Sequence, residues 1–108
     1  MDPLQNWVTV AAKSAVAPDS VIGVLVGDLD VAIYHIGGEL YATENTCPHA
    51  YARLSDGWLD EGVIECPLHA GCIDIRTGKA LSPPIDRDIR TFPVRVVDDD
   101  IQVNIPAA

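Results

Sequence analysis

Positive charge is what this chain has least of: 7 Lys and Arg stand against 16 Asp and Glu in 108 residues, a formal net charge of −9. A nucleic-acid partner requires a basic face to neutralise phosphates, and none is visible, so that class is excluded along with binding to anionic membrane surfaces. Long apolar runs are missing too, because no stretch reaches the roughly 18 residues of a membrane span. The opening Met1-Asp2-Pro3-Leu4-Gln5-Asn6-Trp7 has neither the basic region nor the apolar core of a secretory signal. A soluble cytoplasmic protein is the expectation. Sustained helical periodicity is absent, which argues against a helical fold. Cysteine is sparse: three residues cannot all pair with each other, and two of them lie close to histidines. That pattern favours metal ligation in a reducing compartment over a disulfide framework.

What remains is a series of short apolar runs between Gly, Pro and Asp punctuation, which predicts an all-β protein. A chain of 108 residues makes one domain, 1–108, of marginal stability that a bound metal would raise. Trp7 to Ala12 is a first strand, and Pro18-Asp19-Ser20 turns the chain into Val21 to Val26, apolar on both faces. Gly27-Asp28 and Gly37-Gly38 are two-residue hairpin signals on either side of Leu29 to Ile36, leading into Glu39 to Thr43 in an antiparallel meander. Further on, Ser55-Asp56-Gly57 turns back towards Val63-Ile64-Glu65, and Cys72 to Arg76 alternates so that Ile73 and Ile75 point inward with Cys72 on the other face. Leu81-Ser82-Pro83-Pro84 is a stiff loop, since its prolines remove ladder donors. Arg90 to Val97 and Ile101 to Ile105 form a hairpin around Asp98-Asp99-Asp100, with Ile101, Val103 and Ile105 facing one way.

Two segments carry the chemistry: Cys47-Pro48-His49 and Cys66-Pro67-Leu68-His69. Each supplies one thiolate and one imidazole, and each is followed by small residues (Ala50 and Ala52; Ala70 and Gly71) that leave room for a bulky ligand. Two Cys and two His can hold one tetrahedral zinc, or they can be divided between the two irons of a 2Fe-2S cluster. Zinc modules usually pair ligands of one type within a segment, whereas each segment here gives one of each, so the cluster ranks first and a zinc-stabilised interaction module second. No nucleophile with an adjacent base and no open metal position is evident, so no catalytic residue is assigned.

Together with Asp74, Thr77-Gly78-Lys79 and Pro83-Pro84, and with the run Ala52-Arg53-Leu54-Ser55-Asp56-Gly57, these segments resemble the signature of Rieske 2Fe-2S proteins over nearly the whole chain. Within that family, a short chain without a partner domain resembles the ferredoxin components of bacterial aromatic-ring-hydroxylating dioxygenases, particularly those of the naphthalene type. The resemblance implies a Rieske fold: an antiparallel β-sandwich or barrel base from residues 1–45 and 81–108, with a small cluster-binding subdomain from 46–80. It implies one Rieske-type 2Fe-2S cluster held by Cys47 and Cys66 on one iron and His49 and His69 on the other. It also implies electron transfer, as a monomer, from a flavin-dependent ferredoxin reductase to a terminal Rieske oxygenase. An electron-transfer subunit of another reductase or oxygenase is the alternative within the family. Respiratory members have a disulfide at the positions of Ala52 and Leu68, and hydroxyl donors at those of Gly71 and Ile73. Lacking both, this chain is expected near the lower end of the roughly −150 to +300 mV Rieske range.

Other residues read as scaffold. His35 is a packed or surface histidine, Tyr51 and Trp58 pack under the ligand loops unless one of them lines the docking surface, and Cys72 is an exposed or half-exposed spare thiol. Arg53 either binds loop carbonyls or is solvated.

Overall fold

The computed structural model describes residues 6–47, 52–67, 71–83, 85 and 87–105. Among these residues ten strands run antiparallel: β1 Trp7–Ala12, β2 Ser20–Val26, β3 Leu29–Ile36, β4 Glu39–Glu44, β5 Trp58–Asp60, β6 Val63–Glu65, β7 Cys72–Asp74, β8 Thr91–Phe92, β9 Val94–Val97 and β10 Asp100–Asn104. They make three sheets, in the orders β1-β10-β9, β2-β3-β4-β8 and β5-β6-β7. No helix among the described residues is long and apolar enough to cross a membrane.

The expected meander is β2-β3-β4, turned by Gly27 and by the Gly37-Gly38 pair, all at positive φ where glycine carries no Cβ penalty. The first strand is not part of it. β1 pairs instead with β10, and one residue at Val10 is extruded where the register shifts between Thr9 and Ala11. A second difference lies at Pro93, where the expected Arg90 to Val97 strand divides. Proline has no N–H for the ladder, so β8 ends on β4 in one sheet and β9 begins on β10 in the other. A third is that the strand from Cys72 stops at Asp74, and Ile75 to Thr77 turn, although Ile75 still reaches the core.

β3 is the centre of the molecule. Its apolar run is buried on both faces, and successive side chains go to different cores. Val31 and Ile33 join Val16, Ala42, Phe92, Ile101 and Val103 between the two larger sheets. Ala32, Tyr34 and Ile36 join a second cluster with Cys47, Leu54, Ile64, Cys66, Ile73 and Ile75. The inward placement of Ile73, Ile101 and Val103 agrees with their sequence alternation, and Ile105 packs beside them half-buried. His35 is a packed histidine: its Nδ1 lies 3.0 Å from the Val16 carbonyl.

Ile33 is enclosed on every side. Truncation leaves a cavity that the paired sheets cannot close, so Ile33→Ala is expected to lose about 2–4 kcal/mol in urea unfolding, with the strand content of the folded state unchanged.

Candidate metal centre

The two segments expected to carry ligands are hairpins of the same construction. In the first, Thr46 bridges Arg53, and the Cys47 N–H donates to the Ala52 carbonyl at 2.9 Å, closing over residues 48–51. In the second, Glu65 pairs with Cys72, and the Cys66 N–H donates to the Gly71 carbonyl at 2.8 Å, closing over residues 67–70. Each cysteine is therefore the residue at which a ladder ends and a closed loop begins. Cys47 is 2% exposed and Cys66 0%, and both belong to the cluster beneath Tyr34. The structure thus brings two of the four expected ligands into one core. His49 and His69 fall by sequence within the two closed loops but lie outside the described residues, as do Tyr51, Leu68 and Pro84.

The first hairpin is held by a residue that reads in the sequence only as part of a polar break. Asn45 is fully buried directly ahead of Thr46 and Cys47. Its side-chain carbonyl accepts from the Ser55 N–H at 2.8 Å, and its amide donates to Ser55 Oγ at 2.9 Å and to Asp30 Oδ1 at 3.1 Å. Its backbone N–H donates to the Asp30 carbonyl at 2.9 Å, and its own carbonyl accepts from the Leu54 N–H at 2.7 Å. One side chain thereby fastens both flanks of the loop to the start of β3. The available signal was an amide just before the loop with a serine just after it.

Arg53, half-exposed, has a partner that the sequence did not suggest. Its Nε donates to Asp30 Oδ2 at 2.7 Å and its Nη2 to Asp30 Oδ1 at 3.0 Å, a two-pronged clamp over the Asn45 knot. Those bonds hold the Asp30 carboxyl below its usual range against the opposing effect of partial burial, with the Asn45 amide adding to them. Gly23 on β2 leaves the space for this group, since a Cβ there would run into Arg53, Asn45 and Ser55.

The second hairpin is held from outside. The Cys72 N–H donates to Ser82 Oγ at 3.0 Å, the Leu81 N–H donates to the Cys72 carbonyl at 2.8 Å, and Ile73 bridges Ala80. Cys72 itself is half-buried on the face away from Ile73, as its alternation requires. Gly57 ties the hairpins together, because a Cβ there would strike the Glu65 carbonyl. Beneath them the Tyr34 hydroxyl and Thr43 Oγ1 lie 2.8 Å apart, and Thr43 donates to the Glu44 carbonyl at 2.8 Å. Burial pushes the Tyr34 phenol well up, so it stays neutral. Trp58 does not pack under the loops: it is 62% exposed, since Leu59 takes the inward place on β5.

Comparison with known proteins decides between the metals that the ligand types leave open. Residues 6–93 match the family described as Rieske [2Fe-2S] domain. The chain belongs to the Rieske family. It is 47% identical over 92 residues to the ferredoxin component of the naphthalene 1,2-dioxygenase/salicylate 5-hydroxylase systems of a Ralstonia species, covering 85% of this chain and 88% of that one. Among solved structures, the Sphingomonas yanoikuyae B1 ferredoxin superposes with a TM-score of 0.88 at 33% identity, over 94% of this chain and all of that one. A chain from the complex of reduced oxygenase and oxidized ferredoxin in carbazole 1,9a-dioxygenase superposes with a TM-score of 0.84 at 39% identity, over 91% of this chain and 92% of that one. The residues present fit the Rieske group: two buried thiols share an apolar cluster, each heads a tight loop, and each loop contains one histidine. A 2Fe-2S cluster, rather than zinc, is the metal group of this family.

Asn45→Ala strands buried donors and acceptors beside the first loop. It is expected to cost roughly 1–3 kcal/mol in denaturant unfolding and to speed loss of the cluster's visible absorption. Asp30 gives a second expectation. Because its folded-state pKa lies below the ordinary 3.8, its stabilising contribution is complete above that value and is lost as pH falls through the lowered one. Between about pH 6 and about pH 3, the wild-type melting temperature should therefore fall further than that of Asp30→Asn, which starts lower at neutral pH.

Proposed function

We propose that this protein is a soluble Rieske ferredoxin that takes single electrons from an NAD(P)H-dependent flavin ferredoxin reductase and delivers them to the terminal oxygenase of an aromatic-ring-hydroxylating dioxygenase. The observation that carries this reading is likeness over almost the full length to chains that are themselves ferredoxin components, one of them solved together with an oxygenase. The protein acts as a carrier in the cytoplasm and as a monomer.

In this reading Cys47 and Cys66 are the thiolate ligands of one iron, and His49 and His69 the imidazole ligands of the other. Residues 46–80 form the cluster-binding subdomain on a base of 1–45 and 81–108. In support, β5, β6, β7 and both cysteine-headed hairpins fall within 46–80, whereas the strands of the other two sheets fall outside it. When bound, the cluster supplies a site that accepts and releases one electron. The protein's own residues set how willingly. Apolar side chains around Cys47 and Cys66 keep water from the thiolates, and buried Gly71 and Ile73 bring no hydroxyl to the neighbourhood. Fewer donors to sulfur stabilise added negative charge less, which keeps the potential at the low side of the Rieske range and within reach of a reductase fed by a nicotinamide.

The test is direct. The purified protein should be red-brown, should bleach on addition of NADH and a flavin ferredoxin reductase of a naphthalene dioxygenase system, and should regain colour when that system's oxygenase and substrate follow. Cys72→Ser should behave in the same way. A colourless protein, or a coloured one that the reductase cannot bleach, would overturn the proposal.

A further inference from the structure

The outer face of the β5-β6-β7 sheet is built to be covered. Its inward row is Leu59, Ile64 and Ile73, all packed in the core, so the rows on either side point out. One of these is Trp58, Glu65 and Cys72, in register across the three strands. The bridge from Ile73 to Ala80 and the bond from the Leu81 N–H to the Cys72 carbonyl extend it by a fourth member, Leu81. Trp58 and Leu81 close the two ends of the row at 62% and 52% exposure, an unusual amount of apolar surface to leave in water. The row is also the one that meets the second hairpin, since Glu65 precedes Cys66 and Cys72 follows Gly71.

Charge identifies the occupant. Around Trp58 a shallow groove is lined by Asp60, Glu61, Val63, Glu65 and Cys72, three carboxylates, and a basic side chain, that of Arg76, lies against Gly62 in an adjoining groove that it shares with Asp60 and Glu61. Lys79 stands at the other end, facing Asp74. Glu61 is in addition held at φ 47°, in the left-handed region where Asn or Gly would sit at less cost, so a carboxylate occupies a place that backbone preference would give to another residue. A second copy of this chain is a poor occupant, since it would set like charge against like charge at −9 each.

Resting on the electron-carrier reading, we propose that this face is a docking surface for a redox protein that presents Lys and Arg side chains around an apolar contact, with Trp58 as the apolar anchor and Asp60, Glu61 and Glu65 as the charged rim. The face leads straight to the strand end that delivers Cys66. A partner seated on it is therefore brought against the strand ends at Cys66 and Gly71.

Two half-reactions test this with the whole protein: reduction by the flavin ferredoxin reductase and reoxidation by the terminal oxygenase of a naphthalene dioxygenase system, each followed in single turnover across a range of ionic strength. Trp58→Ala should slow at least one of them about tenfold, with the visible spectrum and reduction potential unchanged. Glu61→Asn relieves the backbone, so its melting temperature should rise while its rate at low salt falls and its salt dependence flattens, a combination that a purely structural role would not produce. Leu25→Ala, which trims an exposed side chain on β2, should match the wild type. If Trp58→Ala and Glu61→Asn react at wild-type rates in both half-reactions, the docking face is wrong although the carrier reading stands. A wild-type protein that the reductase fails to reduce overturns the carrier reading, and the docking face with it.

Discussion

One strand serving two cores is the constraint on which the molecule depends. β3 gives Val31 and Ile33 to the space between the larger sheets and Ala32, Tyr34 and Ile36 to the cluster that contains both buried cysteines. Neither core is complete without it. The smallest sheet has only three short strands and could not bury an adequate core alone. It is stable because its inner row, Leu59, Ile64 and Ile73, shares a cluster with a strand that the rest of the fold already holds in place.

On that foundation the two hairpins are fixed by different means. Polar bonds fix the first, through Asn45, Ser55, Asp30 and Arg53, and backbone pairing fixes the second, through segment 79–82 lying along β7. Each hydrogen bond adds only about 1 kcal/mol net, but a buried amide that loses its partners costs more than the bonds contributed, so the Asn45 group specifies one arrangement more than it adds stability. The ion pair at its rim adds less, because the Arg53 guanidinium is half in water.

Much of this was legible in the residues. Glycine at hairpin positions located β2, β3 and β4, alternation gave the facing of Ile73, Ile101 and Val103, and the two Cys-His segments marked the two hairpins that Cys47 and Cys66 head. What escaped notice was long-range. Nothing local to Trp7–Ala12 says that it pairs with a strand at the far end of the chain. Pro93 could be read as a weak point in a strand but not as a crossing between sheets. Trp58 was expected first under the ligand loops, whereas the two-residue period and the burial of Leu59 put it outside. Arg53 could not be matched to Asp30, 23 residues earlier, until the fold brought them together.

The crossing at Pro93 has a bearing on how the molecule behaves in a crowded solution. β8 and β9 are both outermost strands, and they follow one another in the chain. Fused into a single strand they would present one long rim of unsatisfied amides, the kind of template along which a foreign strand can zip and seed insoluble material. A residue with no amide hydrogen breaks that rim into pieces of two and four residues lying in different planes. The kink that changes sheets is in this sense also a guard against edge-to-edge pairing.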